Sequence, residues 1–200
     1  MFELLLGTRN AGKINEIRHL LRNMEGLRLL TLEDRTFGEI EETGSTFIEN
    51  ALLKVNGIAD ATGLAVLAED AGLEVAALDG APGVRSARFA GEPVDHDRNN
   101  DLLLERLEGM RDRSARFIAV AVLRLSKGEI FVTTGTLPGH IALEPAGTEG
   151  FGYDPVFIPS IPETETRTLA QMSLDEKGRI SHRMQALRRM RPILLDLIAS

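Results

Sequence analysis

Leu64-Ala65-Val66-Leu67-Ala68-Glu69-Asp70-Ala71-Gly72-Leu73 is the stretch that decides the fold of this chain. Leu64 to Ala68 are five consecutive apolar residues after Gly63. A run that short reads as a buried strand rather than a helix. The strand is expected to end on the adjacent acids Glu69 and Asp70, with Gly72 allowing a sharp turn. Open α/β sheets bind their ligands outside the carboxyl ends of strands. Two adjacent carboxylates there are costly without a cation, which makes a divalent metal the natural partner. A strand followed by a solvated acidic turn fits the same letters.

Working outward, Phe2 to Leu6 read as a first strand. Gly7-Thr8-Arg9-Asn10-Ala11-Gly12-Lys13 forms a loop before a helix with Ile14, Ile17, Leu20 and Leu21 on one face. Strand, glycine loop and helix start together make an anion site: free N–H groups, a positive dipole end, and the cations Arg9 and Lys13. The loop also matches Gly-x-x-x-x-Gly-Lys, but Ile14 stands where a phosphate loop needs a hydroxyl for magnesium. Leu27 to Leu32 read as a second strand. Thr46-Phe47-Ile48-Glu49 fits a capping box, followed by an apolar stripe of Phe47, Ala51, Val55 and Ile58.

Downstream, Leu73 to Ala77 read as another strand and Asn100 to Met110 as a helix carrying Leu103, Leu104 and Leu107. Arg116 to Leu125 and Ile130 to Thr136 flank the turn Ser126-Lys127-Gly128-Glu129 as a β-hairpin. A hairpin in a βα chain argues for a mixed sheet with a second lobe and a cleft. In Glu149-Gly150-Phe151-Gly152-Tyr153-Asp154-Pro155, the glycines permit close approach of a ligand and an aromatic can stack on a base. A glycine turn with Phe151 in the core is the plainer reading. A strand Val156 to Ile158 follows, then a loop Pro159 to Thr168. His182 and Arg183 open the terminal helix, whose buried face is Leu187, Met190, Leu194 and Leu197. Cations at a helix N-terminus oppose the dipole, so another group must hold them there.

The totals bound the function. With 200 residues the chain suffices for one domain, 1–200, or two joined lobes. A net charge of −7 argues against binding to a nucleic-acid polymer. The chain has no cysteine, which excludes disulfides, thiolate zinc sites and a cysteine nucleophile. No apolar run approaches the roughly 20 residues that cross a membrane, and the first residues lack the basic n-region of a signal peptide. The expected location is the cytoplasm.

Taken in order, Thr8-x-Asn10-x-x-Lys13, Glu42-Thr43-Gly44-x-Thr46-Phe47-x-Glu49-Asn50-Ala51-x-x-Lys54, Gly80-x-Pro82-Gly83-x-x-Ser86-Ala87-Arg88, Gly150-Phe151-Gly152-Tyr153-Asp154-Pro155 and Lys177-x-x-x-Ser181-His182-Arg183 cover almost the whole chain. In this the chain resembles the inosine triphosphate pyrophosphatase family, the house-cleaning purine nucleoside triphosphatases. One departure stands out: the bacterial family usually has Asp-Asp-Ser-Gly-Leu where this chain has Glu69-Asp70-Ala71-Gly72-Leu73.

The resemblance implies an α/β fold, a mixed twisted central sheet flanked by helices, with two lobes and an active-site cleft between them. It implies hydrolysis of inosine, deoxyinosine and xanthosine triphosphates (ITP, dITP, XTP) to the monophosphate and pyrophosphate, with Mg2+, in a homodimer. Asp70, Lys13 and Lys54 would be catalytic. Thr8, Arg9, Asn10, Ala11, Gly12, Lys13, Ala71, Phe151, Gly152, Tyr153, Asp154, Lys177, His182 and Arg183 would bind substrate. Asp70, with Glu42, Glu41 or Glu69, would hold the metal. Two rivals remain from the residues alone: a P-loop kinase or nucleotide triphosphatase cleaving at the γ-phosphate, and a nucleotide-binding module without catalysis.

Overall fold

A computed structural model describes residues 1–162 and 165–199. The chain opens with strand β1 (Phe2–Leu6), helix α1 (Ala11–Leu21) and strand β2 (Leu27–Leu30). Leu4, Leu5 and Leu6 are fully buried. β1 is covered on both faces, which is why it reads as a continuous apolar run rather than an alternation. It pairs in parallel with β2, Leu4 opposite Leu29, and with β3 (Ala65–Val75), Leu4 opposite Ala65.

Helix α2 (Phe47–Thr62) begins at the expected capping box. Thr46 Oγ1 accepts from the Glu49 N–H, and the Glu49 carboxylate accepts from the Thr46 N–H. The stripe Phe47, Ala51, Val55 and Ile58 is buried. The helix ends at Gly63, whose φ of 70° is the left-handed conformation that glycine adopts without a Cβ penalty.

Strand β3 corrects the opening expectation. It does not end at Glu69 and Asp70, and Gly72 does not turn it; one strand of 11 residues runs from Ala65 to Val75 and absorbs the separate strand expected at Leu73–Ala77. The acids lie in mid-strand, with Glu69 4% and Asp70 7% exposed. The apolar run marks only the first part of the strand. Buried carboxylates continue a strand when residues far along the chain neutralise them.

The remaining elements are α3 (His96–Arg106), β4 (Ser114–Arg124), β5 (Ile130–Ile141), β6 (Phe157–Pro159), α4 (Leu174–Ile180) and α5 (His182–Ala199). The sheet has the order β2-β1-β3-β4-β5-β6, and β5 and β6 are antiparallel. The mixed sheet and the β4–β5 hairpin are therefore present as read from the sequence. Pro159 closes β6, and within the loop expected at Pro159–Thr168, Glu163 and Thr164 lie outside the described residues.

The chain divides into two compact units. The first holds Met1–Asp70, Ala119–Gly135 and Arg183–Ser200; the second holds Ala71–Ile118 and Thr136–His182. The second has its own core, in which Phe117 and Phe157 meet with ring centroids 4.6 Å apart beside Leu73, Leu103, Leu107 and Tyr153.

Candidate active site

In the first unit, Asp70 is the centre of a hydrogen-bonded group drawn from three segments. Lys54, on α2, places Nζ 3.0 Å from Asp70 Oδ1, 3.0 Å from the Glu69 carbonyl oxygen and 3.1 Å from Glu42 Oε2. Asn50, one turn earlier on the same helix, donates from Nδ2 to Asp70 Oδ2 at 3.3 Å. The Asn50 carbonyl in turn accepts from the Gly44 N–H at 2.8 Å, which fixes the direction of its amide. A Cβ at Gly44 would lie 2.7 Å from Asn50 Oδ1, so this approach requires glycine.

Burial pushes the Asp70 carboxyl above the usual carboxylate range, and the nearby Glu42 charge adds to that; Lys54 and Asn50 only partly offset it. A carboxyl that ionises reluctantly, beside a second acid, is a group adapted to take a proton or accept a cation.

Glu69 belongs to a different network in the same unit. Its Oε1 lies 2.9 Å from Lys13 Nζ and 2.7 Å from Arg183 Nε, and Arg183 Nη1 lies 2.9 Å from Glu16 Oε2. Burial alone would raise the Glu69 carboxyl, but Lys13 and Arg183 overcome it and hold the group at about 2. Arg183 is correspondingly raised despite its own burial. Glu69 Oε2 is buried and has no hydrogen-bond partner among the described residues.

The two adjacent carboxylates take different basic side chains, because successive side chains of a strand point to opposite faces. The group that holds Arg183 at the helix start is the pair Glu69 and Glu16. Glu16 carries no motif, and its partner is 167 residues away in sequence.

The rest of the Thr8–Lys13 loop is placed as follows. Asn10 caps α1, its Oδ1 accepting from the Lys13 N–H, and the Thr8 hydroxyl accepts from the Asn10 N–H. Ala11 and Gly12 form the exposed first turn. Arg9 donates to the Phe37 carbonyl and sits over that ring, 5.8 Å from its centroid. Glu41 is exposed. No group of three or more carboxylates or imidazoles among the described residues converges as a ready cage for a metal.

The other expected binding residues lie in the second unit. Ala71 continues β3 and is half-buried. Phe151 is 46% exposed between Gly150 and Gly152, not in the core. Tyr153, by contrast, is 5% exposed, and its hydroxyl donates to the Ser86 carbonyl at 2.9 Å, so its ring belongs to the core. Asp154 accepts from Lys177 Nζ at 3.2 Å and from the Phe151 N–H at 3.4 Å. His182 stacks on Phe117, with centroids 4.8 Å apart and planes 6° from parallel.

Comparison with known proteins gives a consistent result. The profile of the Ham1 family matches residues 4–193. A protein of Exiguobacterium sp. named dITP/XTP pyrophosphatase is 47% identical over 189 residues, covering 94% of each chain. One of the same name from Thermus thermophilus is also 47% identical, covering 93% of this chain and 88% of its own. Among solved structures, a HAM1 protein from Coxiella burnetii superposes with a TM-score of 0.91 at 40% identity, over 98% of this chain and all of that one. The Ham1 protein of Staphylococcus aureus gives 0.88 at 38% identity, over 98% and 99%.

Proposed function

The chain belongs to the Ham1 family, and from that premise we propose that it is a dITP/XTP pyrophosphatase. It hydrolyses dITP, ITP and XTP to the nucleoside monophosphate and pyrophosphate and so removes these purines from the nucleotide pool. The relatives' names support the reaction class. The observation that carries it to residues is the buried Asp70 carboxyl, raised in pKa and aligned by Lys54 and Asn50.

Asp70 orients the attacking water and takes its proton as the bond to the α-phosphorus forms and the bond from that phosphorus to the α–β bridging oxygen breaks, with pyrophosphate as the leaving group. Lys54 steadies that carboxylate and offers its ammonium to the charge developing on the phosphates. Lys13, held on Glu69, and the N-terminus of α1 supply further positive potential for the triphosphate. Asn10 and the backbone of Ala11 and Gly12 line that helix start.

Magnesium fits the residues that surround Asp70. Asp70 and Glu42 place two carboxylates against the ammonium of Lys54, so one negative charge is left over for a cation; burial is what chiefly raises the Asp70 carboxyl, and the Glu42 charge adds to it. Mg2+ commonly takes one or two carboxylates and completes its shell with water and substrate phosphates, and it would supply charge neutralisation and a more acidic water. Asp70 and Glu42 would hold it. Thermal melting of the substrate-free protein tests this: Mg2+ should raise the midpoint of the wild type and leave a Glu42→Gln, Asp70→Asn double variant unmoved.

For the base, Phe151 offers an exposed ring for stacking, with His182, Lys177 and Asp154 of the same unit as polar readers. Hypoxanthine and xanthine present a 6-oxo acceptor where adenine presents an amino donor, so hydrogen-bond donors favour the first. In the first unit, Glu69 and Glu16 hold the Arg183 guanidinium in one orientation. The same reading takes the protein as a cytoplasmic homodimer; no helix among the described residues is long and apolar enough to cross a membrane. Steady-state turnover of dITP and XTP against dATP with Mg2+ tests the reading. Strong preference for the 6-oxo purines supports it, and equal turnover of dATP overturns it.

A further inference from the structure

Helix α3 carries adjacent buried asparagines, Asn99 at 2% and Asn100 at 4% exposure. Asn99 is fully engaged: Nδ2 donates to the Ala87 carbonyl at 2.9 Å and Oδ1 accepts from the Ala90 N–H at 2.7 Å. Asn100 is not. Its Nδ2 donates to the Gly152 carbonyl at 3.0 Å, 52 residues along the chain, while its Oδ1 is buried with no partner among the described residues. A buried acceptor left without a donor is costly, and an apolar side chain would fill the same space without that cost. The amide therefore serves the one bond it makes, to the loop that carries Phe151.

That loop needs external support. Gly150 and Gly152 both have positive φ, 92° and 65°, and leave the chain on either side of Phe151 with little preference of its own. α3 meets the loop a second time through His96, whose ring centroid lies 6.5 Å from that of Phe151. We propose that Asn100 is a positioning residue for base recognition: by holding the Gly152 carbonyl it sets the exposed Phe151 ring in the place where a purine base stacks. This rests on the pyrophosphatase reading above.

The test is Asn100→Leu, near in volume but lacking the donor, with Asn100→Asp as a second variant that keeps the shape and turns the donor into an acceptor. Both are assayed with dITP, and inhibition by inorganic pyrophosphate probes the phosphate side alone. The expected result is a KM raised about tenfold, the worth of one well-made hydrogen bond, with kcat and the pyrophosphate inhibition constant unchanged. An unchanged KM in both variants overturns the proposal. So does a parallel loss in KM, kcat and pyrophosphate inhibition, which would mark Asn100 as a general structural residue. Wild-type turnover of dITP in the same assay bears on the pyrophosphatase reading itself, so the two fail separately.

Discussion

Glu69 and Asp70 are consecutive in β3, yet their carboxylates have different cationic partners: Lys13 and Arg183 for Glu69, Lys54 for Asp70. The pleat of the strand separates them. One acid is held ionised at about 2, and the other is pushed above its usual range. Two neighbouring residues of like chemistry thus hold their protons very differently, because their environments differ.

Glu69→Gln tests the ion pairs around Glu69. Removing one member of a buried charge group leaves Lys13 and Arg183 with too little negative charge, at a cost of about 3–5 kcal/mol. For a domain of this size that lowers Tm by on the order of 10 °C. A melting curve that overlays the wild type would show that the two cations are not anchored by Glu69.

Asp70→Asn should separate stability from activity. The folded protein holds the Asp70 proton more tightly than the unfolded chain, so ionisation of this carboxyl costs stability as pH rises from 3.8 through the folded value. At neutral pH the amide removes that cost. The variant should melt at or above the wild-type temperature while kcat falls about 10²–10⁴-fold. Measuring Tm and dITP turnover on the same sample decides it; a lower Tm contradicts the electrostatic assignment.

Gly44→Ala probes the alignment of Asp70 at one remove. The added Cβ lies 2.7 Å from Asn50 Oδ1 and 3.0 Å from the Asn50 nitrogen, so the Asn50 amide must shift. Loss of the Asn50–Asp70 contact should lower kcat about tenfold. The same Cβ lies 2.7 Å from Glu49 Cβ, so the start of α2 must adjust with it, and circular dichroism checks that the fold persists. Unchanged kcat would show that Asn50 does not align the carboxyl.

Much of this architecture is legible locally. The capping box Thr46–Glu49, the apolar stripe of α2 and the β4–β5 hairpin depend on residues close in sequence, where periodicity and turn chemistry act. What was missed depends on partners far away. The continuation of β3 through two acids requires Lys13, Lys54 and Arg183, the last 114 residues from Glu69. Nothing near Glu16 marks it as a partner of Arg183. From sequence alone either aromatic of the glycine loop, Phe151 or Tyr153, can stack on a base, and only Phe151 is exposed. The burial of Tyr153 follows from the Ser86 carbonyl, 67 residues away.

Tyr153 gives a pH prediction of its own. Burial raises its hydroxyl well above the usual value of 10. The unfolded chain then loses this proton first as pH rises, so the contribution of the neutral hydroxyl is complete below pH 10 and declines above it. Tyr153→Phe should cost about 1 kcal/mol at pH 7 through the lost bond to Ser86. It should also flatten the fall in stability between pH 10 and 11. Urea unfolding of both proteins at pH 7 and 11 measures this, and equal differences at the two pH values would count against the buried hydroxyl.

The central claim is the bond that breaks. Phosphorus NMR of dITP incubated with the wild-type protein and Mg2+ reads it directly. The triphosphate signals should give way to a single pyrophosphate resonance and a monophosphate resonance in equal molar amounts. Orthophosphate with a nucleoside diphosphate would instead place cleavage at the γ-phosphate and overturn the pyrophosphatase reading.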